Sequence, residues 1–241
     1  SYLGGSGRGG GMCLEHSSPL LSDVIISDNS SYMYGGGMYL KYSSPVLIDV
    51  IISENIALFK GGGIYLRDSD PNLLNVIITD NMDGEAMWCH GQGISSDCDS
   101  SPLIINTIIW NNDICFYNGC EGFNDETIIA FSNIENGWEG EGNIDNNPLF
   151  TDSGNGDYTL QEGSPCIDAG TADINFDGIP DITDYYGEAP DMGAFEYIPN
   201  QQNGDLNGDG SINVIDIVAL VNIILNDLDS QGADYNGDGT V

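Results

Sequence analysis

The sequence predicts an all-β fold, a parallel β-helix whose coils are about 26 residues long, from three observations. Gly9-Gly10-Gly11, Gly35-Gly36-Gly37 and Gly61-Gly62-Gly63 recur at a period of 26. In that register Val24-Ile25-Ile26, Val50-Ile51-Ile52 and Val76-Ile77-Ile78 fall together, as do Pro19, Pro45 and Pro71. Short apolar runs rich in Val, Ile and Tyr are separated by Gly, Ser-Pro and Asp-Asn, the punctuation of strands and turns. No unit has room for a helix of about ten residues between its strands, which excludes alternating βαβ units. Equivalent residues therefore stack at the roughly 4.8 Å spacing of neighbouring strands.

Each element of the coil has its own signal. The glycine triplet is the tight turn, and the strand after it aligns Met12, Met38 and Ile64, then Leu14, Leu40 and Leu66. Glu15, Lys41 and Arg67 share the next column, so Glu15 pairs with Lys41 on the neighbouring coil. Ser17, Ser43 and Ser69 form another column, and Tyr39 lies over Tyr65. The Val-Ile-Ile strand leads to Asn29, Asn55 and Asn81, residues that tolerate left-handed backbone and hydrogen-bond up the stack. A fourth copy runs through Gly91-Gln92-Gly93, Pro102, Ile108-Ile109 and Asn112, with five residues inserted before Pro102. A fifth, degenerate copy includes Thr127-Ile128-Ile129.

Composition excludes several classes of function. The 241 residues carry 38 acidic and 4 basic side chains, a formal net charge of −34. Without a cationic patch, binding to nucleic acid or to anionic lipid is excluded. Disorder is excluded because 40% of the residues are hydrophobic and regularly ordered. No uninterrupted apolar run approaches the length of a membrane span. Ser1 reads as the start of a processed or partial chain. Two close cysteine pairs, Cys89 with Cys98 and Cys115 with Cys120, point to disulfides and an extracellular or cell-surface setting. Cys13 and Cys166 read as buried free thiols.

The GGG-(Met/Ile)-x-Leu and Ile-Ile-x-x-Asn repeats resemble those of secreted right-handed parallel β-helix proteins and of polymorphic outer-membrane adhesins. The stretch Gly142–Asp145, Pro148–Phe150, Asp157–Leu160, Ser164–Gly170 and Asp191–Glu196 is similar to that group's C-terminal segment, which closes the last coils. The resemblance implies a right-handed solenoid over 1–198. The group mixes adhesins, sugar-binding proteins and polysaccharide lyases, so the fold leaves the function open.

After a linker at 199–203, the segment 204–241 carries the sharpest chemistry. Asp205, Asn207, Asp209, Asn213 and Asp216 place oxygen side chains at positions 1, 3, 5, 9 and 12 of a loop, with Gly210 at the tight turn and Ser211 offering its carbonyl. Such an oxygen set suits Ca2+. The apolar stretch Ile212, Ile215, Val218, Ala219, Val221, Leu225 that follows has helical spacing. With Asp234, Asn236 and Asp238 recurring 29 residues on, the segment resembles a dockerin, a pair of calcium loop-helix units that docks into cohesin modules. The second unit stops inside its loop. The expected fold is thus a solenoid with a small α-helical, dockerin-like tail.

A second loop runs from Asp173 to Asp181. Its D-x-N-x-D-G-x-x-D spacing resembles the calcium loops of thrombospondin type 3 repeats. Asp173, Asn175, Asp177 and Asp181 would ligate through side chains and Ile179 through its carbonyl, with Asp184 outside them.

Catalytic constellations are harder to find. The basic residues Arg8, Lys41, Lys60 and Arg67 all belong to the repeat, and no Ser-His-Asp, Cys-His or zinc spacing occurs. Asp23 and Asp49 share a column that continues as Asn75, which suits solvated corner acids better than a catalytic pair. Trp88, Trp110 and Trp138 with the tyrosines offer either sugar-stacking or packing surface. The expected protein is a non-catalytic extracellular module, adhesive or structural, that assembles with other subunits, with itself as an oligomer or filament, or with a cohesin-like partner. The alternatives are a dockerin-bearing carbohydrate-active enzyme and a glycan-binding module.

Overall fold

The computed structural model describes residues 7–84, 91–97, 99–116, 127–199 and 214–225. The chain divides into two units, Ser1–Tyr197 and Ile198–Val241. The first is a parallel β-solenoid. Its first coil comprises β1 (Met12–Glu15), β2 (Leu20–Ser22), β3 (Ile25–Ser27) and β4 (Ser30–Ser31). The second comprises β5 (Met38–Lys41), β6 (Val46–Ile48), β7 (Ile51–Ser53) and β8 (Ile56–Ala57). The third comprises β9 (Ile64–Arg67), β10 (Asn72–Leu74), β11 (Ile77–Thr79) and β12 (Met82–Asp83). β13 (Ile94–Ser96), β14 (Leu103–Ile105) and β15 (Ile108–Trp110) make the fourth, and β16 (Ile114–Phe116), β17 (Ile128–Ala130) and β18 (Asn133–Ile134) the fifth. Three sheets each take one strand from all five coils, and a fourth sheet contains β4, β8 and β12.

The 26-residue period is the register itself, with Met38 opposite Ile64 and Ile52 opposite Ile78. The five extra residues split. The offset is 30 from Ile64 to Ile94 and 31 from Asn72 to Leu103. Four therefore enter between Asp83 and Gly91, and one between Ser96 and Pro102.

The corners of the coil are turned largely by left-handed residues, which line up in columns. His16, Tyr42 and Asp68 turn from the first sheet to the second. Asp23, Asp49, Asn75, Asn106 and Phe131 turn to the third, and Asp28, Glu54, Asp80, Asn111 and Asn136 follow it. Gly9, Gly35 and Gly61, with φ between 62° and 67°, return the chain to the first sheet. Asp and Asn tolerate this conformation better than other non-glycine residues, so part of the acidic composition is corner geometry.

The asparagine column differs from expectation in one respect. The left-handed residue is the one before it, which frees Asn29, Asn55, Asn81 and Asn112 to point inward. Asn29, Asn55 and Asn81 each donate from Nδ2 to the Oδ1 of the next at 3.0–3.1 Å, and the same Oδ1 accepts the backbone N–H of the asparagine below it. Asn55 and Asn81 are wholly buried and fully hydrogen-bonded. The serine column behaves alike, with Ser17, Ser43 and Ser69 donating their N–H groups to Ser43, Ser69 and Ser100. On the outside of the first sheet, Lys41 Nζ lies 4.0 Å from Glu15, and Tyr39 stacks on Tyr65 at 5.7 Å. Cys166 is a buried free thiol, but Cys13 is exposed, because it stands at the outward end of the Tyr39 and Tyr65 column.

The interior is a column of Met38, Leu40, Leu47, Val50, Ile52 and their equivalents above and below. The third sheet has a second core on its outer face, where Ile51, Ile77 and Ile108 meet Tyr158, Leu160, Cys166 and Met192. Burial on both faces explains why the Val-Ile-Ile runs do not alternate with polar residues. The C-terminal segment supplies that cover. Ile144 bridges to Asn133 on the last coil. The chain then forms an antiparallel hairpin of β19 (Phe150–Asp152) and β20 (Asp157–Leu160) and returns along the third sheet. The resemblance implied a cap on the last coils. The segment reaches further, because the exposed isoleucine column extends back to the second coil and is buried by it.

The second unit is described only as α1 (Val214–Leu225), the helix anticipated from apolar spacing. Among the described residues no helix is long and apolar enough to cross a membrane.

Candidate functional site

The loop from Asp173 to Asp181 is tied at both ends. Ala172 accepts the N–H groups of Asp181 and Ile182 through its carbonyl, and Thr171 exchanges two hydrogen bonds with the buried corner residue Asn106. Positive φ at Phe176 and Gly178 lets the chain wrap around its own carboxylates. Asp173 accepts from the N–H of Asp177 at 3.1 Å and of Gly178 at 2.7 Å. Asn175 Oδ1 accepts from Asp177, Asp177 Oδ1 from Ile179, and Asp181 from Ile174 and from Asn175 Nδ2. Four of the five predicted ligands thus share one hydrogen-bonded turn with side chains bound to its interior amides. Ile179 and Asp184 are exposed.

Its donors are all hard oxygens, the type calcium requires. Their arrangement is more open than a cage. Among the described residues no group of three or more His, Cys, Asp or Glu is gathered closely enough to hold a metal ion. In the tail, Asp205, Asn207, Asp209, Ser211, Asn213, Asp234, Asn236 and Asp238 lie outside the described residues, and Asp216 falls in the first turn of α1. Cys115 is disulfide-bonded, while Cys89, Cys98 and Cys120 lie outside the described residues.

The other residues weighed for chemistry take structural places. Asp49 accepts from Asn75 Nδ2 at 3.1 Å, and burial, with the nearby Asp23 charge, raises its carboxyl. His16 stacks on Tyr42 at a corner. Trp138 packs edge-on against Phe116, and Trp110 lies against the second core. Lys60 lies 4.0 Å from Asp97 and Arg67 lies 3.9 Å from Asp68. The guanidinium of Arg8 sits over Tyr34 and Tyr39.

No family model, curated protein or solved structure matches this chain.

Two features were invisible in the one-dimensional repeat. One is a groove of about 600 Å³ beside Glu54, Asp80 and Asn111, faced by Ser153 and Gly154 of the C-terminal hairpin. The other is a carboxylate network that holds the returning segment. Asp191, almost fully buried, accepts the N–H groups of Asp168 and Tyr197, and Glu196 accepts those of Asp191 and Tyr186. Asp168 in turn accepts from Glu188 and Ala189. The signal that could have found it is the spacing of Asp168, Asp191 and Glu196 within motifs already recognised as a closing segment.

Burial pushes the Glu196 carboxyl up to about 7, with the Asp191 and Asp168 charges adding to it and two backbone N–H groups opposing. The folded chain therefore holds a proton there that the unfolded chain releases near 4.5. Stability contributed by this group is present below 4.5 and declines as pH rises through that window towards 7. The difference is on the order of 2 kcal/mol once solvent screening is allowed for. Glu196→Gln is expected to flatten the fall in melting temperature between pH 5 and 7.5, measured by calorimetry. A slope identical to that of the parent chain would show that Glu196 does not titrate in the fold.

Proposed function

We propose that this protein is a non-catalytic, calcium-stabilised extracellular or cell-surface module that assembles with other subunits through its tail. The reading is carried by helix α1. Val214, Ile217, Val218 and Val221 on it are exposed, and an apolar helical surface of that kind calls for a covering partner. The residues just before the helix carry the oxygen pattern of a calcium loop, so cation binding would order the helix where it must dock. The dockerin-like and adhesin-like resemblances point the same way, to a scaffold, a cohesin-like partner or further copies of the chain. In the solenoid, Asp173, Asn175, Asp177 and Asp181 are the residues that would hold calcium beside the returning segment, where the ion would offset their charge. Support for a structural role comes from the repeat itself, whose charged and polar side chains are largely used in ladders, corners and interlocking pairs.

The test is sedimentation together with thermal melting of the intact chain, in millimolar calcium and in excess EGTA. Assemblies are expected with calcium and smaller species without it. Chelation is expected to lower the melting temperature by roughly 5 °C or more, since a site held at 100-fold saturation contributes about 2.7 kcal/mol. An unchanged melting temperature rejects both calcium loops, and monomers alone in calcium reject self-assembly. Release of unsaturated products or reducing ends from uronate polymers would replace the reading with an enzymatic one.

A further inference from the structure

The fourth sheet ends at β12 for a simple reason. In the third coil, thirteen positions separate Asn81 from Ile94, but in the fourth, Ile114 follows Asn112 by two and still pairs with Ile94. The fourth coil takes a short cut, and the step it leaves is the groove of about 600 Å³. Ile56 and Met82 line it, 42% and 56% exposed. Glu54 and Asp80, stacked one coil apart at a corner, stand along one side. Strand alternation puts Leu58 on the same outward side as Ile56, and Leu58, Phe59 and Tyr32 are all about half or more exposed. An apolar strip bordered by carboxylates therefore runs along this edge of the solenoid.

We propose that this groove docks an extended segment of a partner protein that presents Lys or Arg beside apolar side chains. Charge complementarity selects the partner. The described walls contain no basic side chain, and Glu54 is exposed. A second copy of this chain does not fit. Its whole basic inventory is Arg8, Lys41, Lys60 and Arg67, and these lie beside Tyr34 and Tyr39, Glu15, Asp97 and Asp68. A simple cation would leave the apolar strip unused, and a neutral glycan would leave the carboxylates unused. The surface belongs to the first unit and uses neither calcium loop, so it goes beyond assembly through the tail.

The experiment is titration of the intact chain, in EGTA, with a fluorescent octapeptide alternating lysine and leucine, followed by anisotropy. Saturable binding is expected to weaken at least fivefold in the Glu54→Gln/Asp80→Asn double variant, the loss of about 1 kcal/mol. Met82→Ser is expected to weaken it at least threefold, whereas Asp23→Asn, an acid at another corner, changes it by less than twofold. All four substituted residues are polar corner positions or exposed side chains, so the fold is preserved and melting curves verify it. Equal loss from Asp23→Asn, or no loss from Met82→Ser, would reduce the binding to diffuse charge attraction and overturn the proposal. So would a glutamate-leucine peptide binding as well, or spermine displacing the lysine peptide at equal concentration. Because the titration is done in EGTA, its failure leaves the calcium-dependent reading standing.

Discussion

Gly36→Ala is expected to destabilise the solenoid by more than about 4 kcal/mol and to abolish a single cooperative melt, followed by circular dichroism. The cause is steric and lies in backbone. A Cβ on Gly36 would sit 2.3 Å from the carbonyl oxygen of Gly62 and 2.6 Å from the backbone of Ile56. Those atoms belong to the next coil and to the fourth sheet, and neither can withdraw without breaking the ladder, since Gly36 itself donates to Gly61 across the same junction. Gly163→Ala is the control. It has a left-handed φ of 85° but nothing within 4 Å of the added carbon, so only the conformational cost of about 1 kcal/mol applies. Equal effects of the two substitutions would mean that close stacking is not what the triplet secures.

The second large effect is expected at Asn81. Its side chain accepts from the backbone and the amide of Asn55 and donates to Asn112, Ile52 and Thr79, all in the buried interior. Asn81→Ala leaves several of these groups without partners, at about 1–3 kcal/mol each when none can reach water. A total of roughly 3–5 kcal/mol is expected, or about 10 °C in melting temperature. Asn29→Ala should cost far less, because Asn29 is only partly buried at the lowest rung and accepts from no asparagine below it. If the two variants melt together, the ladder acts as filler and its hydrogen bonds contribute little.

The coil was legible because a stack repeats its demands. The same backbone junction recurs, so the same glycine, proline and asparagine recur, and columns such as Glu15 with Lys41 can be read directly. Reading failed where position within a column mattered. Placing the left-handed residue at Asn55 instead of Glu54 was a shift of one, since an Asp/Glu-Asn pair satisfies either assignment until the direction of the side chain is known. Cys13 failed for a similar reason, because alternation tells inward from outward but not which coil stands at the end of a column.

Nothing periodic announced the returning segment. Its contacts with Ile51 and Ile77 join residues far apart in sequence, and they are set by an apolar column that any suitable segment could cover. The groove was equally hidden, as it results from a strand the fourth coil omits. For the loop from Asp173 to Asp181 the donor types were plain from spacing. That their oxygens would be bound to the loop's own amides depends on φ at Phe176 and Gly178, which spacing does not encode.

The four residues that enter between Asp83 and Gly91 carry a consequence for how such a molecule changes over time. Ile94 still lands opposite Ile64, so the added length is absorbed at one rim and the rungs on either side keep their alignment. Parallel stacking thus separates two kinds of inheritance. The sheets transmit register from rung to rung without tolerance, while this rim accepts growth or loss of sequence as an independent variable. A peptide grafted between Asp83 and Gly91 would lengthen that connection while the register of the scaffold stays unaltered.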